Sequence, residues 1–178
     1  MKKLLLLLAI LLTLGLNPAK ATIRLVPSVY PTIHEAVAAA VAGDVIHVET
    51  GIIIETALTD IDKSITIEGE GAANSLIRIS GTGHIFKISA DGVTIKGLKI
   101  LKIDNLGVQN IIGIQANNFT LENCTVQGQY FFGDEGPAAR AMEFYAGTFS
   151  GQVITGNTFL AVRQPAYING THTGTISN

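Results

Sequence analysis

An all-β solenoid is the fold class that this sequence predicts, and three observations predict it. Five short segments are near copies of one another: Thr66-Ile-Glu-Gly69, Thr94-Ile-Lys-Gly97, Thr120-Leu-Glu-Asn123, Val153-Ile-Thr-Gly156 and Thr175-Ile-Ser-Asn178. Successive copies begin 28, 26, 33 and 22 residues apart, which is one coil of a solenoid with loops of variable size. Between the copies, short β-branched runs alternate with turn residues, and no second helical pattern follows Asp44. Each copy ends on Gly or Asn, the residues that turn a corner at positive φ with the least strain.

The elements follow in order. Lys2 and Lys3 precede an apolar run from Leu4 to Leu16, and Ala19-Lys-Ala21 is a small-x-small cleavage pattern. This three-part arrangement is expected to be a signal peptide over residues 1–21, leaving Thr22 to Asn178 as the exported chain. The run is too short to span a bilayer, so no membrane span is expected after cleavage. The expected location is therefore secreted, periplasmic or cell-surface. Residues 22–178 form one β-helix domain, with a cap over 22–44 and coils over 45–178. Thr22 to Val29 reads as a short strand. Tyr30-Pro31 opens a helix, Thr32 caps it, and Gly43-Asp44 stops it. Ile33, Val37 and Val41, with Ala36 and Ala40, are expected on one apolar face. Such a helix covers the exposed first rung of a solenoid.

Stacking the five copies gives three columns. Ile67, Ile95, Leu121, Ile154 and Ile176 form an inward ladder. Gly69, Gly97, Asn123, Gly156 and Asn178 form a corner. Glu68, Lys96, Glu122, Thr155 and Ser177 face outward, where alternating charges on neighbouring strands support pairing.

The stretch from Tyr30 to Gly71 resembles the N-terminal cap and first coil of right-handed parallel β-helix proteins of the pectin-lyase-like superfamily. The matching pieces are Tyr30-Pro-Thr-Ile33, Gly43-Asp44, Ile46-His-Val48, Gly51 with Glu55, and Lys63-Ser-Ile-Thr-Ile67 leading to Glu68-Gly-Glu-Gly71. Asp91-Gly-Val-Thr-Ile-Lys-Gly97 and Ile154-Thr-Gly-Asn-Thr-Phe159 resemble later coils. The resemblance covers most of the exported chain and implies a right-handed parallel β-helix with an N-terminal amphipathic capping helix. Activity does not follow from the fold. Laid beside pectin methylesterases, the chain keeps Gly51 and Glu55 of a Gly-x-Tyr-x-Glu element but has Ile53 in place of the Tyr; the element also occurs in caps of non-esterases, which implies a structural role for Glu55. It puts Arg140, Arg163 and Gln164 where the catalytic Gln, Gln and Asp are expected, and it lacks the stretch carrying the second aspartate.

Other chemistries fare no better. Asp60 and Asp62 are expected in a cap-proximal turn, and two carboxylates do not make a hard-cation site. His34, His47, His84, His172, Met142 and Cys124 are scattered, so no metal site and no cofactor are expected. Cys124 is the only cysteine and reads as a buried thiol. Without Lys2, Lys3 and Lys20, nine basic residues remain against fourteen acidic ones, which argues against a nucleic-acid partner.

One segment stands apart. Gln127 to Gly147 accounts for the long 33-residue step, and six of the eleven aromatic residues lie between positions 130 and 149. Long loops on rigid scaffolds carry function. Tyr130, Phe131, Phe132, Asp134, Glu135 and Arg140 are therefore the candidate binding residues, with polysaccharide as the partner that suits ring faces rimmed by acids and a guanidinium. The alternative is a structural or adhesive surface solenoid without catalysis. The fifth copy is cut short at Asn178, so further coils or a C-terminal cap are expected.

Overall fold

The computed structural model describes residues 20–80, 86–102, 110–130 and 140–177. The leader expected over residues 1–21 lies almost wholly outside this set. Every strand pairing among the described residues is parallel.

Strand β1 (Ile23–Val26) and helix α1 (Ile33–Ala39) precede five complete coils of three strands each. The coils are β2 (Val45–Val48), β3 (Gly51–Glu55) and β4 (Thr59–Ile61); β5 (Thr66–Gly69), β6 (Ser75–Ile79) and β7 (Phe86–Ile88); β8 (Thr94–Lys96), β9 (Lys99–Lys102) and β10 (Asn110–Ile114); β11 (Thr120–Glu122), β12 (Thr125–Gln127) and β13 (Arg140–Phe144); and β14 (Thr148–Thr155), β15 (Thr158–Leu160) and β16 (Gln164–Ile168). Strand β17 (Thr171–Ser177) begins another. Stacked coils give three sheets. Sheet I runs β1-β2-β5-β8-β11-β14-β17, sheet II runs β3-β6-β9-β12-β15, and sheet III runs β4-β7-β10-β13-β16.

The inward and outward columns read from the sequence are in register in sheet I, and Asn178, the last member of the corner column, lies outside the described residues. Ile67 pairs in line with Ile95, Leu121, Ile154 and Ile176, and Ile46 extends the ladder toward the cap. Ile46, Ile67, Ile95 and Leu121 are fully buried, and burying each such side chain contributes about 1.5–3 kcal/mol. In the outward column Lys96 Nζ lies 3.0 Å from Glu68 Oε2. His47 lies 3.6 Å from Glu68 and 3.5 Å from Glu70.

The corner divides into two kinds. Gly97, Asn123 and Gly156 adopt φ of 64°, 52° and 63°, so they make the turn from sheet I to sheet II as expected. Gly69 does not share that conformation; in the second coil Gly71 takes the positive φ, at 102°. Gly69 is required for space. A Cβ there would lie 2.4 Å from Leu98 Cδ2 and 2.7 Å from the Gly97 carbonyl oxygen. Side-chain amides complete other corners. Asn157 accepts from the Cys124 amide at 2.9 Å and donates to the Leu121 carbonyl at 2.8 Å.

The cap is held by polar contacts around an apolar face. Thr32 accepts from the Glu35 amide, and Ile33, Ala36 and Val37 are buried. Val41 does not belong to that face. The helix closes at Ala40, and Val41 lies beyond it, half-exposed. Asp44 accepts from the amides of Thr22 and Val41 and from Arg24 Nε at 2.8 Å. Those bonds hold its carboxyl below the usual range, the Val41 and Thr22 amides foremost. Glu55 reaches from β3 to accept the Ile33 amide at the helix start. Burial pushes its carboxyl up, against the pull of the Ile33 and His34 amides. No helix among the described residues is long and apolar enough to cross a membrane.

Candidate functional site on the outer face of sheet III

Strand alternation sends every second side chain of sheet III outward. In the outward column Asp60, Lys87, Gly113, Glu143 and Tyr167 stand in line on five successive strands. Asp60 is thus a strand residue rather than a turn residue. It pairs with Lys87 at 3.2 Å and accepts from the Ser89 hydroxyl.

Gly113 is the pivot of the site. A Cβ at this position would lie 2.8 Å from Cε2 and 2.9 Å from the hydroxyl of Tyr145. The phenol ring therefore occupies the recess that the missing side chain leaves, and only glycine permits so close an approach. Tyr145 follows β13 directly. Its carbonyl accepts from His172 Nε2 at 2.9 Å, and its amide donates to the Ile114 carbonyl at 2.9 Å. The His172 ring packs between Phe144 and Phe149, with centroids 5.1 and 5.3 Å away. Burial raises the Tyr145 pKa; the Asn110 side chain opposes that, Glu143 adds to it, and Lys87 opposes it. The hydroxyl accordingly stays protonated in neutral solution and remains a donor.

Beside Tyr145, Glu143 accepts from Asn110 Nδ2 and lies 3.5 Å from Arg140 Nη1. Arg140 also donates from Nε to Gln164 Oε1 at 3.3 Å. Its guanidinium stacks on the Tyr167 ring, 3.7 Å from the centroid. Asn110, Arg140 and Gln164 occupy matching positions at the start of β10, β13 and β16. Asn110 is fully buried, and its Oδ1 has no hydrogen-bond partner among the described residues. Tyr167 is 37% exposed. The result is a row of two phenols, a carboxylate and a guanidinium on a rigid sheet.

Of the six residues expected from the sequence, Arg140 falls in this cluster. Tyr130 lies just beyond β12, where its amide donates to the Ala161 carbonyl at 2.9 Å. Phe131, Phe132, Asp134 and Glu135 lie outside the described residues. The long aromatic loop is shorter than the sequence implied, because Arg140–Phe144 is strand β13. Phe144 is a core residue, buried in line with Ile61, Ile88 and Ile114. Phe149 packs on His172. Sequence reasoning missed Asn110, Glu143, Tyr145 and Tyr167 as site residues. One signal for them was available: the lone glycine in Asn110-Ile-Ile-Gly-Ile114, since a glycine inside a strand marks a close approach.

No protein-family model matches the chain, and no curated protein or solved structure is significantly similar to it.

Proposed function

We propose that this protein is an exported, carbohydrate-associated β-solenoid that binds extracellular polysaccharide along the outer face of sheet III. The observation that carries the reading is the Tyr145–Glu143–Arg140–Tyr167 row. Aromatic faces take up the apolar face of a sugar ring, while carboxylate, guanidinium and amide groups hydrogen-bond its rim. Gly113 and Tyr167 are two strand spacings apart, about 10 Å. A ligand that touches both phenols is thus longer than a single sugar ring, which favours a polymer. The resemblance to the pectin-lyase-like superfamily, and the export signal read in residues 1–21, agree with an extracellular glycan.

Binding is favoured over hydrolysis. Glu143 is engaged by Asn110 and Arg140. The other described carboxylate in its column, Asp60, stands three strand spacings away, roughly 14 Å. Paired carboxylates of inverting glycosidases lie about 6.5–9.5 Å apart. The test is a panel of acidic and neutral polysaccharides offered to the full chain, with release of reducing or unsaturated ends followed in parallel. Retention on at least one glycan without turnover is the expected result. Retention on none of them would leave the structural or adhesive solenoid as the better reading.

A further inference from the structure

Sheet II carries a second surface, unlike the other two. Its outward positions form two columns. One runs Ile52, Leu76, Lys99, Thr125 and Thr158; the other runs Ile54, Arg78, Leu101, Gln127 and Leu160. Neither column contains a carboxylate, although the chain as a whole carries a formal charge of −2. Ile52 and Ile54 are 60% and 55% exposed. Arg78 and Lys99 sit diagonally among them, and neither has an ion-pair partner among the described residues. Scattered exposed aliphatic residues need no explanation, but a contiguous apolar patch marks an interaction site.

We infer that this face docks a short amphipathic helix of a partner protein, with Leu or Ile on the stripe that meets the sheet and Asp or Glu on its flanks. A helix with one apolar stripe is the element that covers a sheet face. These two cations, unpaired among the described residues, call for carboxylates opposite them, where charge complementarity fixes register and partner. The charge of the patch is local. An extended anionic plane such as a bilayer would also meet the acidic remainder of the molecule, and within a Debye length of about 8–10 Å that repulsion is felt. A second copy docking by a twofold axis would present the same two columns, which offer no carboxylate to Arg78 and Lys99.

The experiment is selection of random displayed peptides of about 15 residues, long enough for a marginal helix, on the full chain. Enriched peptides are then titrated against the wild type, Arg78→Glu with Lys99→Glu, and Ile52→Ser with Ile54→Ser. All four positions face outward, and circular dichroism checks that each variant stays folded. The expected outcome is enrichment of aliphatic residues at helical spacing with flanking acids, and about a tenfold loss of affinity in each double variant. Failure to enrich any peptide, enrichment without an acidic bias, or affinities unchanged in both variants would overturn the inference. So would sedimentation with phosphatidylglycerol vesicles that the same substitutions abolish, which would give the face to a membrane.

Discussion

Replacing Gly97 and Gly69 in parallel separates the two reasons for a glycine at the solenoid corner. Gly97 has φ of 64°, and an added Cβ would sit 3.0 Å from the Gly69 carbonyl oxygen. Left-handed backbone costs an ordinary L-residue about 1–2 kcal/mol, and Asn tolerates it better. The chain itself places Asn123, at φ 52°, at the equivalent corner one coil further on. Gly97→Ala is thus expected to cost about 1–2 kcal/mol, Gly97→Val more, and Gly97→Asn less than either. At Gly69 the order reverses. The obstacle is Leu98 Cδ2 at 2.4 Å and backbone at 2.7 Å, so the smallest side chain is the best replacement and Asn is worse than Ala. For a chain of this length, 1 kcal/mol shifts the melting temperature by about 2–4 °C, which thermal unfolding followed by circular dichroism resolves. The same order of Ala and Asn at both positions would refute the division of the corner into a conformational and a steric glycine.

Three further outcomes follow from burial and charge. The Asp44 carboxyl is held low in the folded state, so its contribution is present above the unfolded value near 4 and is lost as pH falls through the folded one. Asp44→Asn should therefore lower the melting temperature at pH 7 and approach the wild type at pH 3; an equal deficit at both would contradict this. Glu55 is shifted the opposite way, so the wild type loses stability as pH rises through its folded pKa. Glu55→Gln, which keeps an acceptor for the Ile33 amide, should gain on the wild type between pH 4 and pH 8, and a constant difference would count against it. Burial pushes the Cys124 thiol up to about 11, so a disulfide reagent at pH 8 should label it only on unfolding; rapid labelling of the native chain would contradict the packing of that corner.

Sheet I was legible in the sequence because one short pattern repeats at its corner, with an aliphatic residue inward and a polar one outward on each strand. The cap was legible for a similar reason, since Pro31, Thr32 and Gly43-Asp44 bound a short apolar stripe. Its C-terminal end was misjudged at Val41 because helical spacing continues past the residue where the backbone leaves the helix. Sheet III was harder to read. In Asn110-Ile-Ile-Gly-Ile114 every residue is buried, so alternation gives no inside or outside. Glu143 follows two apolar residues and precedes another, with nothing local to mark it as outward. The site is assembled across strands whose sequence separation varies with loop length, so Arg140 and Tyr167, 27 positions apart, meet only once the register is known. Pairings of that kind live in the stacking and not in any short motif.

The glycan reading is tested most directly by titrating the full chain and its Tyr167→Ala variant calorimetrically with the polysaccharide best retained in the panel. Tyr167 is partly exposed and stacks on Arg140, so its truncation should leave the fold intact. The expected result is saturable binding by the wild type and a loss of affinity of up to about tenfold in the variant, the worth of one aromatic contact. Equal affinities for a stably folded variant would contradict a binding face on sheet III.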